Sequence, residues 1–443
     1  MIREFLLSYP YLQRKKLIRR TEYWPTDKLK ELQGSFLLGI LRYAAQNIPY
    51  YQKMLDLNEL NHTTEPYELL AKFPLIDKKE IRKHLNSFVR GNRIRKLRGL
   101  TGGSSGQVLI FYCDRFTTRQ REKAFIFDQW SRVGYKLGDS IFSLRARTPP
   151  KDQFVQHDHF FNIYHASSFD ISKLNIKKYV YYMNKIQPKF LHGYPSIIYQ
   201  IALLLERCKN KLNFNYKAVL CGSEKLFDYQ RKKIESVFTA RVYSWYGHSE
   251  YLALGGECEH SQTLHFYPQY GYTELLPTGT KNEEGKEIYE LVATGFNNQV
   301  MPLIRYRTGD YATLSENQSC KCNRNYLIID EVIGREQEFF VDANGSLISA
   351  TVLIDEAHYD VFMGLESFWI HQDTPGVVEI FLVKNERYQD ELFHLMKNEM
   401  EALVGDRLRL HFSFVDKAQK TPSGKAKVVH QELDISSYLR NIT

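Results

Sequence analysis

The residue types best suited to chemistry are dispersed along the chain. Lys425 stands in Pro-Ser-Gly-Lys-Ala-Lys (422–427), a Gly-led turn able to carry an ammonium into a site built elsewhere. More than a hundred residues earlier, Tyr-Arg-Thr-Gly-Asp (306–310) supplies Asp310, an acid placed either to grip ribose hydroxyls or to cap a turn. Thr101-Gly102-Gly103-Ser104-Ser105-Gly106-Gln107 joins glycines that permit close backbone approach with hydroxyls that donate hydrogen bonds, a combination suited to phosphate. It lacks the Gly-Lys-Ser/Thr ending of a Walker A loop. In Tyr246-Gly247-His248-Ser249-Glu250 a flat ring can stack on Tyr246, Glu250 can reach a hard cation such as Mg2+, and His248 is a candidate general base. Lys425 and Asp310 together argue for a nucleotide-using ligase, because packing explains neither.

Cys258, His265, Cys320 and Cys322 form another constellation. Cys-x-Cys cannot bridge to itself comfortably but suits two thiolates on one soft metal, and Gly256-Glu257-Cys258-Glu259-His260 with His265 supplies further ligands. His260 and His265 compete for the fourth place. The alternative is a pair of reduced surface thiols. Six cysteines at these spacings do not resemble a disulfide framework.

These groups need elements to position them. Residues 1–90 read as helical, with Leu37, Leu38, Leu41, Ala44 and Ala45 on one face before a break at Ile48-Pro49. From about residue 100 the pattern becomes strand, glycine turn, helix. Lys189–Tyr194 reads as a strand entering a helix at Pro195-Ser196, and Lys217–Cys221 repeats this before Gly222-Ser223-Glu224. A third short strand, Arg241–Trp245, ends at Tyr246. Such alternation predicts a mainly parallel sheet with flanking helices, where ligands gather at the carboxyl ends of strands. Tyr272–Leu276, Glu287–Ala293, Leu303–Tyr306 and Tyr326–Asp330 predict a second sheet or distorted barrel. A small α+β domain follows from Gly334-Arg335, with a hairpin at 342–345, strands at 377–383 and 409–415, and a helix over 388–404.

The chain has 443 residues, enough for two or three domains, and 60 Lys and Arg against 51 Asp and Glu. That excess admits nucleic acid, an anionic membrane surface or polyphosphate as partners, but no basic block or recognition motif compels nucleic acid. Arg14-Lys15-Lys16 and Arg19-Arg20 fit either a solvated helix face or weak association with a membrane surface. No stretch is long and apolar enough to span a bilayer, and the start lacks the pattern of a cleaved leader, so a cytoplasmic protein is expected, as monomer or homodimer.

The motifs also occur in an informative order. Residues 101–107, His192-Gly193-Tyr194-Pro195-Ser196, Gly222-Ser223-Glu224, Tyr246–Glu250, Tyr306–Asp310, Gly334-Arg335 and Ser423–Lys427 together resemble the adenylate-forming (ANL) superfamily, and within it the branch of phenylacetate-CoA ligases and CapK-like capsule-biosynthesis proteins. The resemblance implies an α/β fold in which residues 1–333 bind ATP and acid and residues 334–443 form a mobile α+β lid. It implies that ATP and a carboxylic acid give an acyl-adenylate and pyrophosphate, with transfer to coenzyme A. An amine or amino-sugar acceptor is the alternative, and a non-catalytic binding protein on the same fold is a third possibility.

By that resemblance Thr101, Ser104, Ser105 and Gly106 would cradle phosphates, while Gly222, Ser223, Glu224, Tyr246 and Gly247 would hold adenine. Ser249 and Glu250 would serve phosphate and Mg2+, Asp310 and Arg335 the ribose, and Lys425 the carboxylate and α-phosphate. His192, Tyr194 and Ser223 would lie near the acyl group. Related members carry a comparable Cys/His set, which implies structural Zn2+ at Cys258, His265, Cys320 and Cys322. Two departures stand out: Gln107 occupies the place of the usual loop lysine, and Gln337, followed by Glu338, that of the usual hinge residue.

Overall fold

The computed structural model describes residues 8–53, 65–91, 96–101, 109–145, 149–150, 153–168, 171–209, 211–282, 284–333, 339–350, 364–416, 429–435 and 437–438. They divide into two compact units, one from residues 1–99, 110–137 and 243–334, the other from residues 100–109, 138–242 and 335–443.

The chain begins in the first unit with helices α1 (Tyr9–Thr21) and α2 (Thr26–Asn47). Leu37, Ile40, Leu41, Ala44 and Ala45 bury one stripe of α2 at three- and four-residue steps, and the helix stops before Pro49. A two-stranded sheet, β1 (Lys96–Leu100) and β2 (Ile110–Asp114), precedes α3 (Thr118–Ser131).

The second unit carries the predicted parallel sheet. Its strands are β3 (Ile141–Leu144), β4 (Val155–Asp158), β5 (Ile163–Ala166), β6 (Phe190–Gly193) and β7 (Ala218–Gly222), in spatial order β7-β6-β3-β5-β4. β5, β3, β6 and β7 run parallel, and only the edge strand β4 is antiparallel. Every residue of β3, β6 and β7 is buried, which explains their continuous rather than alternating apolar sequence. Helices α4 (Ile176–Ile186), α5 (Pro195–Arg207) and α6 (Asp228–Phe238) contribute to the core with Tyr179, Met183, Ile198, Ile201 and Ile234. Tyr194 holds extended backbone and Pro195 fills the first turn of α5, so the strand-to-helix switch falls at the Gly-Tyr-Pro-Ser run.

In the first unit the later strands form an antiparallel sheet. They are β8 (Arg241–Gly247, of which residues from 243 belong to this unit), β9 (Leu254–Gly256), β10 (Leu264–Phe266), β11 (Gly271–Lys281), β12 (Glu287–Gly295), β13 (Tyr306–Leu314) and β14 (Leu327–Ile333). Their order is β11-β12-β13-β14-β10-β9-β8. The sequence predicts a strand at Leu303–Tyr306 and leaves Asp310 as a ribose grip or a turn cap. The strand instead starts at Tyr306 and runs through Gly309 to Leu314.

The C-terminal residues pack within the second unit. The hairpin β15 (Phe339–Val341) and β16 (Leu347–Ser349) turns at 342–345, with Gly345 at φ +73°. Strands β17 (Leu365–Gln372), β18 (Val377–Lys384), β19 (Arg409–Phe414) and β20 (Val429–Gln431) form a four-stranded sheet, with α7 (Asp390–Val404) between β18 and β19 in sequence. Gln200 of α5 donates to the Leu347 carbonyl at 2.8 Å, and Phe340, Ile370 and Val378 share the core cluster of β3 and β6.

Candidate active site

In the first unit, β8 and β13 bring three of the expected residues together. The Tyr246 hydroxyl donates to Asp310 Oδ2 at 2.8 Å and meets His248 Nε2 at 2.7 Å, while His248 Nε2 lies 3.5 Å from the same Asp310 oxygen. With the tyrosine proton directed to Asp310, His248 Nε2 must donate, which gives a one-way relay from imidazole to phenol to carboxylate. Burial and the Asp310 charge raise the Tyr246 pKa well above its ordinary value, so the phenol keeps its proton. The buried Nδ1 of His248 has no hydrogen-bond partner among the described residues. Glu250 is 6% exposed and makes no hydrogen bond among the described residues, although its charge is felt at Tyr246 and Tyr270. An acceptor-only group that is nearly buried and unbonded suits a hard cation.

The aim of Asp310 comes from a β-bulge. Glu290 pairs with Tyr311 and Val292 with Arg307, so residues 308–310 face Leu291 alone. Gly309 makes this possible at φ +79°. Thr308 stabilises the bulge by donating to the Leu291 carbonyl at 2.8 Å and accepting from the Asp310 amide at 3.1 Å. Arg307 and Glu290 close one flank with bonds of 2.8 and 2.6 Å.

In the second unit, parallel strand ends gather another set. Leu144 pairs with Gly193, and Gly193 with Cys221. A Cβ on Gly193 would come within 2.9 Å of the Leu144 carbonyl, so glycine permits this spacing. Just beyond these ends, Arg145 donates to the Ser223 hydroxyl and its guanidinium lies 5.1 Å from the Tyr194 ring centre. His192, buried beneath, is held well below its ordinary pKa by desolvation, then by the charges of Arg145 and His165, and is neutral at physiological pH. Glu224 accepts from the Ser196 amide at 3.1 Å, which places its carboxylate at the N-terminus of α5. The sequence reading missed Arg145. Its signal was position: it directly follows an apolar run that becomes a central parallel strand.

Cys258, His265, Cys320 and Cys322 converge in the first unit, with their ligand atoms all within 4.8 Å of one another. Cys258 Sγ and Cys320 Sγ are 3.6 Å apart, and Cys322 Sγ and His265 Nε2 are 3.4 Å apart. A tetrahedral site with Zn–S bonds of about 2.3 Å has edges of about 3.8 Å, so the donor set fits such an ion. His265 Nδ1 lies 3.1 Å from the Thr263 carbonyl, which fixes the tautomer that leaves Nε2 free to ligate. Cys322 is held below its ordinary pKa by hydrogen bonding from Cys258, despite burial, and then by His265. His260 does not join the group; its backbone amide instead donates to Cys258 Sγ at 3.3 Å. Buried Arg132 donates to the Glu257 and Gly256 carbonyls at 2.8 and 3.2 Å. Arg324 binds both oxygens of Glu259 at 2.6 and 2.8 Å and Glu22 at 2.8 Å, so both ligand-bearing loops are held from outside.

Of the remaining sequence candidates, Ser249 is exposed beside Glu250. Thr101 is buried, its amide donating to the Leu109 carbonyl at 3.0 Å and its hydroxyl accepting from the Leu109 amide at 3.1 Å. Ser104, Ser105, Gly106, Gln107, Arg335, Gln337, Glu338 and Lys425 lie outside the described residues. None of the described helices is long and apolar enough to cross a membrane.

The fold is similar to that of crystallised 2-hydroxyisobutyryl-CoA ligase in its postadenylation state, with a TM-score of 0.56 and 16% identity over 96% of this chain and 94% of that one. The likeness shows a fold shared with that acyl-CoA ligase. Protein CapK of Staphylococcus aureus is 25% identical over 412 residues, covering 90% of this chain and 89% of CapK. Phenylacetate-coenzyme A ligase of Thermus thermophilus is 23% identical over 352 residues, 72% of this chain and 73% of that protein. Residues 340–432 match the family described as the CapK C-terminal domain. Over most of its length the chain is thus similar to both CapK and the phenylacetate-CoA ligases.

Proposed function

We propose that this ligase uses ATP to adenylate a small carboxylic acid and passes the acyl group to coenzyme A. The observation that carries the reading is the Asp310–Tyr246–His248 relay with the nearly buried, unbonded carboxylate of Glu250 in the same unit. A fixed acid beside an aromatic ring suits a ribose and base. In the first step a carboxylate oxygen attacks the α-phosphorus, the bond to the β-phosphate oxygen breaks, and pyrophosphate leaves. In the second, a thiol sulfur attacks the acyl carbon and AMP leaves.

Each residue addresses the cost of bringing two anions together. Glu250 would hold Mg2+, which when bound offsets triphosphate charge. Thr101, Ser104, Ser105 and Gly106 would bind phosphate oxygens, with Ser249. Gly222, Ser223, Glu224, Tyr246 and Gly247 would hold adenine, and Asp310 and Arg335 the ribose. His248 would orient Tyr246 and, through it, Asp310. Lys425 would place its ammonium between the carboxylate and the α-phosphate, a role suited to a compact charge on a long stem. His192, Tyr194 and Ser223 would face the acyl group. Residues 334–443 would act as the lid that carries Lys425. Structural Zn2+ at Cys258, His265, Cys320 and Cys322 would cross-link two loops.

Acid-dependent exchange of labelled pyrophosphate into ATP tests the first step, and CoA-dependent AMP release the second. Lys425→Ala should lower exchange by about 100-fold or more while ATP still binds. Equal exchange in variant and wild type refutes the lysine's role. A second reading puts an amine or amino-sugar acceptor in place of coenzyme A, since the likeness to CapK over most of the chain fixes no acceptor. Acyl transfer to hydroxylamine without any response to coenzyme A would support it.

A further inference from the structure

Strands β3, β6 and β7 lie side by side and parallel, and each delivers one side chain just past its carboxyl end: Arg145, Tyr194 and Ser223. Ligands in parallel sheets gather at such ends. Arg145 donates to the Ser223 hydroxyl, and its guanidinium rests 5.1 Å from the Tyr194 ring centre. Ser223 is held at φ +71°, a costly conformation for a residue with a Cβ, at the position where its hydroxyl meets the guanidinium. Beneath them His192 is neutral and desolvated. Arg145 is half-buried as a residue, its bond to the exposed Ser223 stays open to solvent, and among the described residues no carboxylate lies within ion-pair distance of it. A guanidinium has five N–H donors, of which Ser223 takes one. An acyl group made only of hydrocarbon would strip water from the others and return nothing.

We infer that Arg145 reads a second acceptor group on the acid substrate, so that the preferred acids carry a hydroxyl or carboxylate remote from the carboxylate that is adenylated. This rests on the ligase reading above and adds the substrate class. The Tyr194 face holds the guanidinium plane, and the Ser223 hydroxyl fixes its rotation, which leaves the other edge of the fork for the ligand. Lysine would keep the charge but lose the planar fork and the stacking.

Pyrophosphate exchange with matched acids is the test: hexanoate, 6-hydroxyhexanoate and adipate, and phenylacetate beside 4-hydroxyphenylacetate. The wild type should favour the polar member of each set by about 10- to 100-fold in kcat/KM, mostly through KM. Arg145→Met should level the preference and Arg145→Lys should restore part of it, with the KM for ATP unchanged. Equal or better use of the hydrocarbon acids by the wild-type protein overturns the inference, and that comparison needs no variant to fold. A uniform loss across all acids in Arg145→Met, or a raised KM for ATP, also overturns it, because the residue would then hold the reacting carboxylate, the nucleotide or the strand ends. Exchange with no acid at all removes the ligase reading and this inference with it, whereas exchange confined to hydrocarbon acids removes the inference alone.

Discussion

The hydroxyl of Tyr246 donates to Asp310 Oδ2 at 2.8 Å, joining residues 64 apart in sequence. The contact by itself orients the acid, because a phenol that keeps its proton can only donate to a carboxylate. Its own acceptor position is taken by His248 at 2.7 Å. The ring therefore has a polar duty at its edge besides any stacking on its face.

Tyr246→Phe keeps the ring and deletes the relay. Asp310 loses one hydrogen bond to a charged acceptor, worth about 1.5–3 kcal/mol, and His248 loses its acceptor. The KM for ATP should rise about tenfold in pyrophosphate exchange, with a smaller change in kcat. An unchanged KM would show that Asp310 is held adequately by its other contacts.

Gly309→Ala tests the bulge. A Cβ there meets no atom within 4 Å, so the only cost is backbone at φ +79°. That cost is about 1–2 kcal/mol, and the chain can relieve it by flattening the bulge and turning Asp310 away from Tyr246. A modest fall in Tm should accompany a severalfold rise in the KM for ATP. A fall in Tm with nucleotide affinity intact would mean that the bulge survives alanine.

These two residues show what the sequence could and could not reveal. The parallel strands were legible because their apolar runs end in Gly-Tyr-Pro-Ser and Gly-Ser-Glu turns, and local chemistry sets those boundaries. The C-terminal hairpin was legible for the same reason at Asp-Ala-Asn-Gly. At Thr308-Gly309 the sequence leaves Asp310 as a ribose grip or a turn cap, because glycine marks turns and bulges alike; only the register against Leu291, a tertiary fact, separates them. Arg145 left only a positional trace, at the end of an apolar run. Its meaning comes from two other strands that end beside it, and neither is near it in sequence. The four metal-type ligands were visible by residue type, but the choice of His265 over His260 needed the β9–β10 pairing that points His265 at Cys322.

Cys322→Ser should remove bound zinc and destabilise the first unit. The purified protein is expected to hold one zinc per chain by elemental analysis, and the variant much less. Its Tm should fall by roughly 5–10 °C. Arg324→Ala should leave zinc in place but lower stability, because Glu22 and Glu259 would then face each other across a part-buried gap. Wild-type protein without metal and with the Tm of the variant would sink the structural role.

Glu122 gives a pH signature with a definite sign. It sits on α3, where burial pushes its carboxyl up to about 7 from an ordinary 4.5 and the Tyr270 hydroxyl opposes only part of that shift. Between those two values the folded protein binds more protons at this site than the unfolded chain does. Stability from this group is therefore greatest below about pH 4.5, falls as pH rises to about 7, and is flat above. His192 runs the other way: held neutral when folded, it costs stability as pH drops below the ordinary imidazole value. The measurement is thus the difference between Glu122→Gln and wild type, in which the His192 contribution cancels. Glutamine still accepts from Tyr270 and cannot ionise, so the variant should gain a few degrees of Tm relative to wild type between pH 5 and pH 8. A difference in Tm that stays constant across that window would place the Glu122 carboxyl in its ordinary range.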